Sequence, residues 1–309
     1  MRAEPAARAP LWLELTADYR CNNRCVGCDS ADDSAPGMSR DEALQALVDG
    51  RARGARSLWL GGGEPTLRPD LPVLVKAARR LGYERIKLQT NGMRLSYVDY
   101  TKELAALGVT EVSFSLKGAC RATHDRLTQT PGCYDLMLEG MRAATDAGLT
   151  IEADYLAYRT NTSELAEALT QLREWDVQLV RLWLLFAEGD AANEVPKISD
   201  VLDQARAAIA AGFPSERISS PHTPPCTLGS TLEASRFFAP DLHLEIVNPG
   251  GHRFWLERSP MEGGTFLPGC DDCSTRARCL GIRASYLDRY GSDEFRPISA
   301  PINGNAISA

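Results

Sequence analysis

Cys21-Asn-Asn-Arg-Cys25-Val-Gly-Cys28 is a C-x3-C-x2-C run placed directly after an apolar stretch, Leu11 to Thr16, that reads as a first β-strand. Thiolates are soft ligands for soft metals, and a turn-prone Asn-Asn-Arg spacer lets three of them close on one inorganic centre. A cluster capped wholly by protein takes four ligands, so three leave one iron open to a substrate or cofactor. Zinc is the competing reading. Its structural sites are tetrahedral, built from paired knuckles, and no His stands nearby to complete one. Unrelated thiols are the third reading.

A second predicted strand, Ser57 to Leu60, runs into Gly61-Gly-Gly-Glu-Pro65. Glycines after a buried strand let the backbone approach a ligand closely, and a lone carboxylate there can grip an ammonium. By itself this stretch is an ordinary Gly-rich strand-to-helix turn. A three-cysteine loop after strand one combined with GGGEP after strand two resembles the radical S-adenosylmethionine (SAM) superfamily.

The resemblance implies roles for particular residues. Cys21, Cys25 and Cys28 would hold a [4Fe-4S] cluster whose open iron chelates SAM. Reduction would split SAM into methionine and a 5'-deoxyadenosyl radical that takes a hydrogen atom from the substrate. Gly62, Gly63 and Glu64 fall on the motif that binds the methionine amino group. An electron donor such as flavodoxin or ferredoxin is the implied partner. Gly27 departs from the pattern, because the residue before the third cysteine is usually bulky and stacks near adenine.

At 309 residues, 44% hydrophobic and 24% charged, the chain is long enough for one large domain or two. With 34 basic and 41 acidic side chains its formal charge is -7, which gives no support for nucleic acid or an anionic membrane as partner. No stretch approaches the roughly 18 apolar residues of a membrane span, and Met1 to Pro10 lacks an apolar signal core. The expected location is the cytoplasm, where nine cysteines point to metal ligation rather than disulfides.

From Leu11 to about Gly212 apolar runs alternate with amphipathic segments, the pattern of successive βα units on a parallel sheet. Strands are expected at Leu11–Thr16, Ser57–Leu60, Arg85–Gln89, Val109–Leu116, Thr150–Leu156 and Gln178–Leu185. Ser39-x-x-Glu42 is a capping box, Asn161 precedes a helical apolar spacing, and Gly50, Gly82 and Gly108 fall where helices should stop. The fold expected is α/β: a partial (β/α)6 TIM-like barrel with a small C-terminal α+β twitch-like extension. Its divisions are 1–10, an N-terminal extension; 11–214, the barrel; and 215–309, an auxiliary-cluster domain with a C-terminal tail.

Parallel barrels build their sites from loops at the C-terminal ends of the strands. Thr90 and Asn91 after strand three, and Ser115 and Lys117 after strand four, are candidate SAM or substrate contacts, with turn-forming and strand-end polarity as the plain alternative. Glu152, Asp154 and Arg181 are charges inside predicted buried strands, which suits a polar lumen or an exposed edge. Arg181 is taken with the cofactor contacts, and Tyr155 is a further candidate.

Beyond Pro196 a closing helix, Asp200 to Gly212, is followed by a Pro- and Ser-rich stretch. A β-hairpin then joins Leu242–Val247 to His252–Leu256 through Asn-Pro-Gly-Gly. Cys226, Cys270, Cys273 and Cys279 suffice for one complete site. Their C-x2-C-x5-C core followed by Gly281 resembles part of the SPASM and twitch extensions, which implies a second, auxiliary [4Fe-4S] cluster. A zinc ribbon on the same ligands is the alternative.

Cys120 and Cys133 remain, and buried free cysteines usually serve as small apolar residues. Cys120 follows strand four at the functional end. There a thiol would return a hydrogen atom to a substrate radical, as the resemblance implies for epimerases, whereas a dehydrogenase would pass an electron to the auxiliary cluster. His124 reads as a base or polar contact, or with Asp125 as a helix cap.

The function expected is a small-molecule radical SAM enzyme that epimerises or dehydrogenates a secondary carbinol of a sugar, aminoglycoside or related natural product. A maturase of a ribosomally made peptide is the first alternative, weakened because the barrel starts near residue one and leaves no room for a peptide-recognition domain. A non-enzymatic zinc-binding structural protein is the second. Ser292 to Ala309 is expected to cross the surface or stay mobile.

Overall fold

The computed structural model describes residues 9–28, 36–187, 189–229, 238–259 and 264–298. Six strands run parallel in chain order: β1 (Trp12–Thr16), β2 (Ser57–Gly61), β3 (Arg85–Thr90), β4 (Glu111–Leu116), β5 (Thr150–Ala157) and β6 (Leu179–Leu184). Between them lie α1 (Arg40–Ala52), α2 (Leu71–Leu81), α3 (Val98–Leu107), the pair α4 (Arg121–Thr128) and α5 (Cys133–Asp146), and α6 (Leu165–Glu174). After β6 comes α7 (Ile198–Ala210). This is the α/β partial barrel expected from the alternation of apolar runs.

Period-two alternation sorts each strand into two faces. Leu13, Leu15, Leu58, Leu60, Ile86, Leu88, Val112, Phe114, Ile151, Ala153, Val180 and Leu182 join the large core under the helices. The intervening positions, among them Glu14, Trp59, Lys87, Ser113, Glu152, Asp154 and Arg181, belong to the opposite face, which encloses the lumen.

The sheet continues past the six strands at both edges, in the order β7-β6-β5-β4-β3-β2-β1-β8-β9. β7 (Ile218–Ser219) adds parallel to β6, and β8 (Leu244–Val247) adds parallel to β1, Leu13 facing Glu245. β9 (Arg253–Trp255) closes the hairpin antiparallel on β8. The C-terminal hairpin therefore extends the barrel's own sheet instead of forming a separate one. Among the described strands β7 and β9 do not pair, so the barrel stays open.

Capping follows the local chemistry with two exceptions. Ser39 and Glu42 form the capping box of α1, and Gly82 and Gly108 end α2 and α3 with positive φ. Gly50, expected as a helix stop, lies within α1. A Cβ there would stand 2.5 Å from Leu13 Cδ2 and 2.8 Å from the Tyr83 hydroxyl, so its task is close packing on the sheet. Asn161 stands at the N-cap of the short 3-10 turn that leads into α6, as expected, but it is fully buried and its side chain does not cap. It accepts from the Tyr158 N–H (2.7 Å) and donates to the Lys117 and Leu156 carbonyls (3.0 Å each), tying the ends of β4 and β5 together.

The tail is fastened as far as residue 298. Tyr286, on α8 (Ala284–Tyr290), accepts from the Ile198 N–H at the start of α7 (2.8 Å), Glu294 accepts from the Ser199 N–H (2.9 Å), and Phe295 enters the main core. The segment from Ser292 thus does not lie loose over the surface within the described residues. Residues 299–309, and the expected extension at 1–8, lie outside them. Among the described residues no helix is long and apolar enough to cross a membrane.

Candidate functional site

The cysteine loop is locked into place by backbone groups. Arg24 and Val26 donate N–H groups to the carbonyls of Thr128 (3.0 Å) and Leu127 (2.9 Å), which lie in the last turn of α4 and lack helical partners. From the other side Gly63 donates to the Asp18 carbonyl (2.9 Å) and Glu64 to the Arg20 carbonyl (2.8 Å). A Cβ at Gly63 would stand 2.3 Å from the Arg20 carbonyl oxygen. One at Gly62, whose φ is +113°, would stand 2.6 Å from that of Asp18. Only glycines let the GGGEP turn lie against the cysteine loop.

All nine cysteines are free; Cys21 and Cys25 are half-buried and Cys28 is exposed. Burial pushes the Cys21 thiol up to about 11, the neighbouring Glu64, Cys25 and Cys28 adding to the rise against a hydrogen bond from the Asn23 N–H. Asn23 Oδ1 is buried beside them without a hydrogen-bond partner. The donor set thus suits a cationic, thiophilic centre, whose positive charge would reverse the rise. Gly27 has a physical cause here. Its φ is +66°, which side chains rarely adopt, and a Cβ would press on the tip of Leu185 at 2.9 Å, so a side chain here is strained.

The next two strand ends are organised by one carboxylate. Glu64 Oε1 accepts from the Thr66 N–H (3.0 Å), the Thr66 hydroxyl (2.5 Å) and the Thr90 hydroxyl (2.7 Å), and Oε2 accepts from the Asn91 N–H (2.8 Å). Asn91 Nδ2 reaches Asn22 Oδ1 (2.7 Å) in the cysteine loop. The polar atoms of Glu64, Thr90 and Asn91 are therefore spent on aligning three loops. Lys117 differs. The residue is 6% exposed and its ammonium donates to the Ser115 hydroxyl (2.7 Å), with no carboxylate in salt-bridge range among the described residues. A buried cation without an anion is costly, and it calls for one.

Below these loops the lumen holds a charge lattice. Glu152 Oε2 accepts from Lys87 Nζ and from Arg181 Nη2, each at 2.7 Å. Arg181 Nη1 stands 3.5 Å from Asp154, which also accepts from Gln89 (2.9 Å), Ser113 (2.7 Å) and Trp183 (2.9 Å). Lys87 and Arg181 lie over the Trp59 ring, 4.4 and 4.8 Å from its centroid. Burial works against the charge of Glu152, yet Arg181 and Lys87 hold its carboxyl below the usual range. Arg181, expected as a cofactor contact, instead spends its guanidinium inside this lattice. Tyr155 is also accounted for: its hydroxyl donates to the Asn161 carbonyl (2.9 Å) and is buried on the helix side.

Glu14, Lys87, Trp59 and Trp183 are site residues that the sequence reasoning missed. The signal was present, as polar or aromatic residues at every second position between Leu, Ile and Val. Glu14 is half-buried, and burial reinforced by Asp154 pushes its carboxyl up to about 7 against the pull of Lys87 and Arg181. Between its ordinary value of 4.5 and 7 the folded chain holds a proton that the unfolded chain has released, so stability falls as pH rises through that window. Glu14→Gln is therefore expected to raise unfolding free energy by about 1–3 kcal/mol at pH 8 and to leave it unchanged at pH 4, as read by chemical denaturation.

Cys120 makes no hydrogen bond with the lumen lattice among the described residues. It caps the N-terminus of α4 with its thiol exposed, 3.7 Å from the Thr123 hydroxyl, which itself contacts Glu164. Thr123 lies in the first turn of α4 after β4, and Glu164 follows β5 just before α6. His124 is buried with Nδ1 accepting from the Lys117 N–H (3.2 Å); burial, then Lys117, depresses its pKa to about 3. It stays neutral and props the β4 loop. His124 and Asp125 lie within α4, and Asp125 caps α5 instead, accepting from the Gly132 (2.6 Å) and Tyr134 (3.0 Å) N–H groups. Cys133 is buried against Thr128.

The second cysteine set lines a cavity of about 340 Å³ together with Phe266, Arg276 and Phe295. Cys226, Cys270, Cys273 and Cys279 all border it. The Ile298 N–H points to Cys273 Sγ (3.3 Å) and the Gly281 N–H to Cys279 Sγ (3.3 Å), contacts suited to thiolates. A smaller pocket shares Pro224, Gly281 and Ile282 with it and is lined by His222, whose ring stacks on Trp183 with centroids 4.6 Å apart.

Residues 19–172 match the model of the radical SAM superfamily. The chain is 29% identical over 195 residues to a probable GTP 3',8-cyclase of Saccharolobus solfataricus, covering 59% of this chain and 62% of that protein. It is 30% identical over 195 residues to the AdoMet-dependent heme synthase of Methanosarcina barkeri, covering 62% and 54%. The chain therefore spans less than two thirds of the length of these relatives. In fold it is similar to the S-adenosylmethionine-bound crystal structure of Streptococcus suis SuiB, with a TM-score of 0.69 at 14% identity over 94% of this chain and 77% of that one. AdoMet-bound anSMEcpe gives 0.55 at 20% identity over 65% and 60%.

Proposed function

Because residues 19–172 belong to the radical SAM superfamily, we propose that this protein cleaves SAM reductively and dehydrogenates a secondary carbinol of a small amino- or hydroxyl-rich substrate held in its lumen. Cys21, Cys25 and Cys28 would hold the SAM-binding [4Fe-4S] cluster, and Cys226, Cys270, Cys273 and Cys279 an auxiliary one. When bound, the first supplies SAM cleavage to a 5'-deoxyadenosyl radical and the second an electron sink, so that a carbinol losing a hydrogen atom, an electron and a proton becomes a carbonyl.

The observation that carries this reading is the locking of the cysteine loop onto the GGGEP turn at the C-terminal end of the strands, at distances that only Gly62 and Gly63 permit. The buried Lys117 ammonium is suited to the methionine carboxylate, with Ser115 orienting it. The bare backbone of Gly62 and Gly63 is suited to the methionine amino group. Glu64, Thr90 and Asn91 keep the turn and the cysteine loop in register, and the lumen walls exclude water from the reacting carbon.

Two features favour dehydrogenation over epimerisation. The exposed Cys120 thiol bonds only to Thr123 at the start of α4 and makes no contact with the lumen lattice among the described residues. The Trp183–His222 stack runs from Asp154 in the lumen toward the cavity of the second cysteine set. Four cysteines line the 340 Å³ cavity, a donor set that would suit an auxiliary cluster, with zinc on the same ligands as the alternative. The test is anaerobic reconstitution with iron and sulfide, reduction with dithionite and addition of SAM. Methionine and 5'-deoxyadenosine are expected in equal amounts; bound zinc with no iron, or no cleavage by the iron-loaded protein, overturns the proposal.

A further inference from the structure

Gly61 ends β2 directly below the Gly62–Glu64 turn, and three strands converge on its bare face. The point where its Cβ would stand is 3.1 Å from Gln89 Oε1, 3.3 Å from Glu14 Oε1 and 3.8 Å from Trp59 Cδ1. The side-chain amide of Gln89 is oriented by its Nε2–H bond to Asp154 (2.9 Å), which leaves Oε1 as an acceptor toward this spot. Cδ1 of Trp59 is bonded to the indole nitrogen, and that N–H is buried without a hydrogen-bond partner in a side chain only 4% exposed. Buried donors are ordinarily satisfied, so an unpaired one at the rim of a polar chamber points to a ligand.

The charges say which kind. Lys87 and Arg181 are the cations of the lattice, and Glu152 and Asp154 occupy both. Glu14 stands within electrostatic reach of both cations and of Asp154, with no hydrogen bond or salt bridge among the described residues. A neutral hydroxyl would satisfy its lone pairs only; an ammonium would also favour the charged carboxylate that burial disfavours.

We infer that Glu14, Gln89 and Trp59 form a substrate subsite for a protonated amino group, with an adjacent hydroxyl or carbonyl oxygen of the same molecule accepting from Trp59 Nε1. The inference rests on the proposed use of the lumen as substrate chamber and narrows the substrate to an amine-bearing polyol. Gly61 belongs to the subsite as well, since a side chain there would press on both acceptor oxygens.

The test is calorimetric titration of the anaerobically reconstituted protein, SAM present, with glucosamine against N-acetylglucosamine and with 2-deoxystreptamine against its N-acetylated form. In at least one pair the free amine is expected to bind tenfold or more tighter than its acetylated counterpart. Glu14→Gln is expected to bring the two within threefold. Trp59→Phe keeps the ring between Lys87 and Arg181 but removes the N–H. It is expected to weaken the bound amine by threefold or more, and it carries the test if the Gln variant does not fold. Failure of every amine to bind the wild type, equal binding of an acetylated partner, or a preference that survives both substitutions overturns the subsite. Formation of 5'-deoxyadenosine from SAM by the same wild-type sample separates the two readings. Cleavage without amine binding sinks the subsite alone, and amine binding without cleavage sinks the SAM chemistry alone.

Discussion

Replacing Cys21, Cys25 and Cys28 together by alanine is expected to lower the iron content of the reconstituted protein from about eight to about four per chain, and to abolish 5'-deoxyadenosine formation. The three side chains sit on a loop whose backbone is held by α4 and by Gly63 and Glu64, not by the thiols, so the loop should survive their loss. The remaining iron would belong to Cys226, Cys270, Cys273 and Cys279, which are half-buried around a separate cavity. Iron and sulfide assays with an electron paramagnetic resonance spectrum of the reduced protein check the outcome. About four irons in the wild type and none in the variant would leave the first cluster in place and reassign the second set to zinc. Unchanged iron in the variant would remove the cysteine loop from the SAM site altogether.

Glu152→Ala is expected to cost about 3–5 kcal/mol of folding free energy, because one buried carboxylate oxygen takes both Lys87 and Arg181, and its loss strands two buried cations. Glu84→Ala, which removes the exposed partner of Arg56, is the matched control and should cost about 0–1 kcal/mol. Denaturant titration of both variants measures the difference. Equal costs would mean that water already enters the lattice and screens it. The same comparison bears on function, since a lattice that fixes Asp154, Gln89 and Trp59 also fixes the walls of the proposed substrate chamber.

Much of the fold was legible because it is written in contiguous residues. Strand positions followed from apolar runs, and all six appear within two residues of their expected ends. The hairpin at β8 and β9 followed from Asn-Pro-Gly-Gly between two apolar segments. Errors arose where a residue type has two uses. Gly50 looked like a helix stop but serves close packing, and Asn161 stands where the helix opens but spends its side chain as a staple between strand ends. His124 and Asp125 looked like one cap and proved to be a loop prop and the cap of a different helix. In each case the local cue was real, and a partner distant in sequence decided its use.

The site divides along the same line. The sequence by itself determined the three-cysteine loop, the GGGEP turn and their common placement at one end of a parallel barrel, because ligand spacing and strand period are properties of short stretches. Only the tertiary structure decided what the lumen contains. Glu14, Lys87, Glu152, Asp154 and Arg181 come from four strands, and whether each charge is neutralised depends on strand stagger and side-chain reach across the barrel. Tertiary structure also drew Cys226 to the cavity bordered by the C-x2-C-x5-C segment. Spacing along a chain sets which groups are neighbours on one loop, while packing sets which groups from different loops share a dielectric and a charge balance.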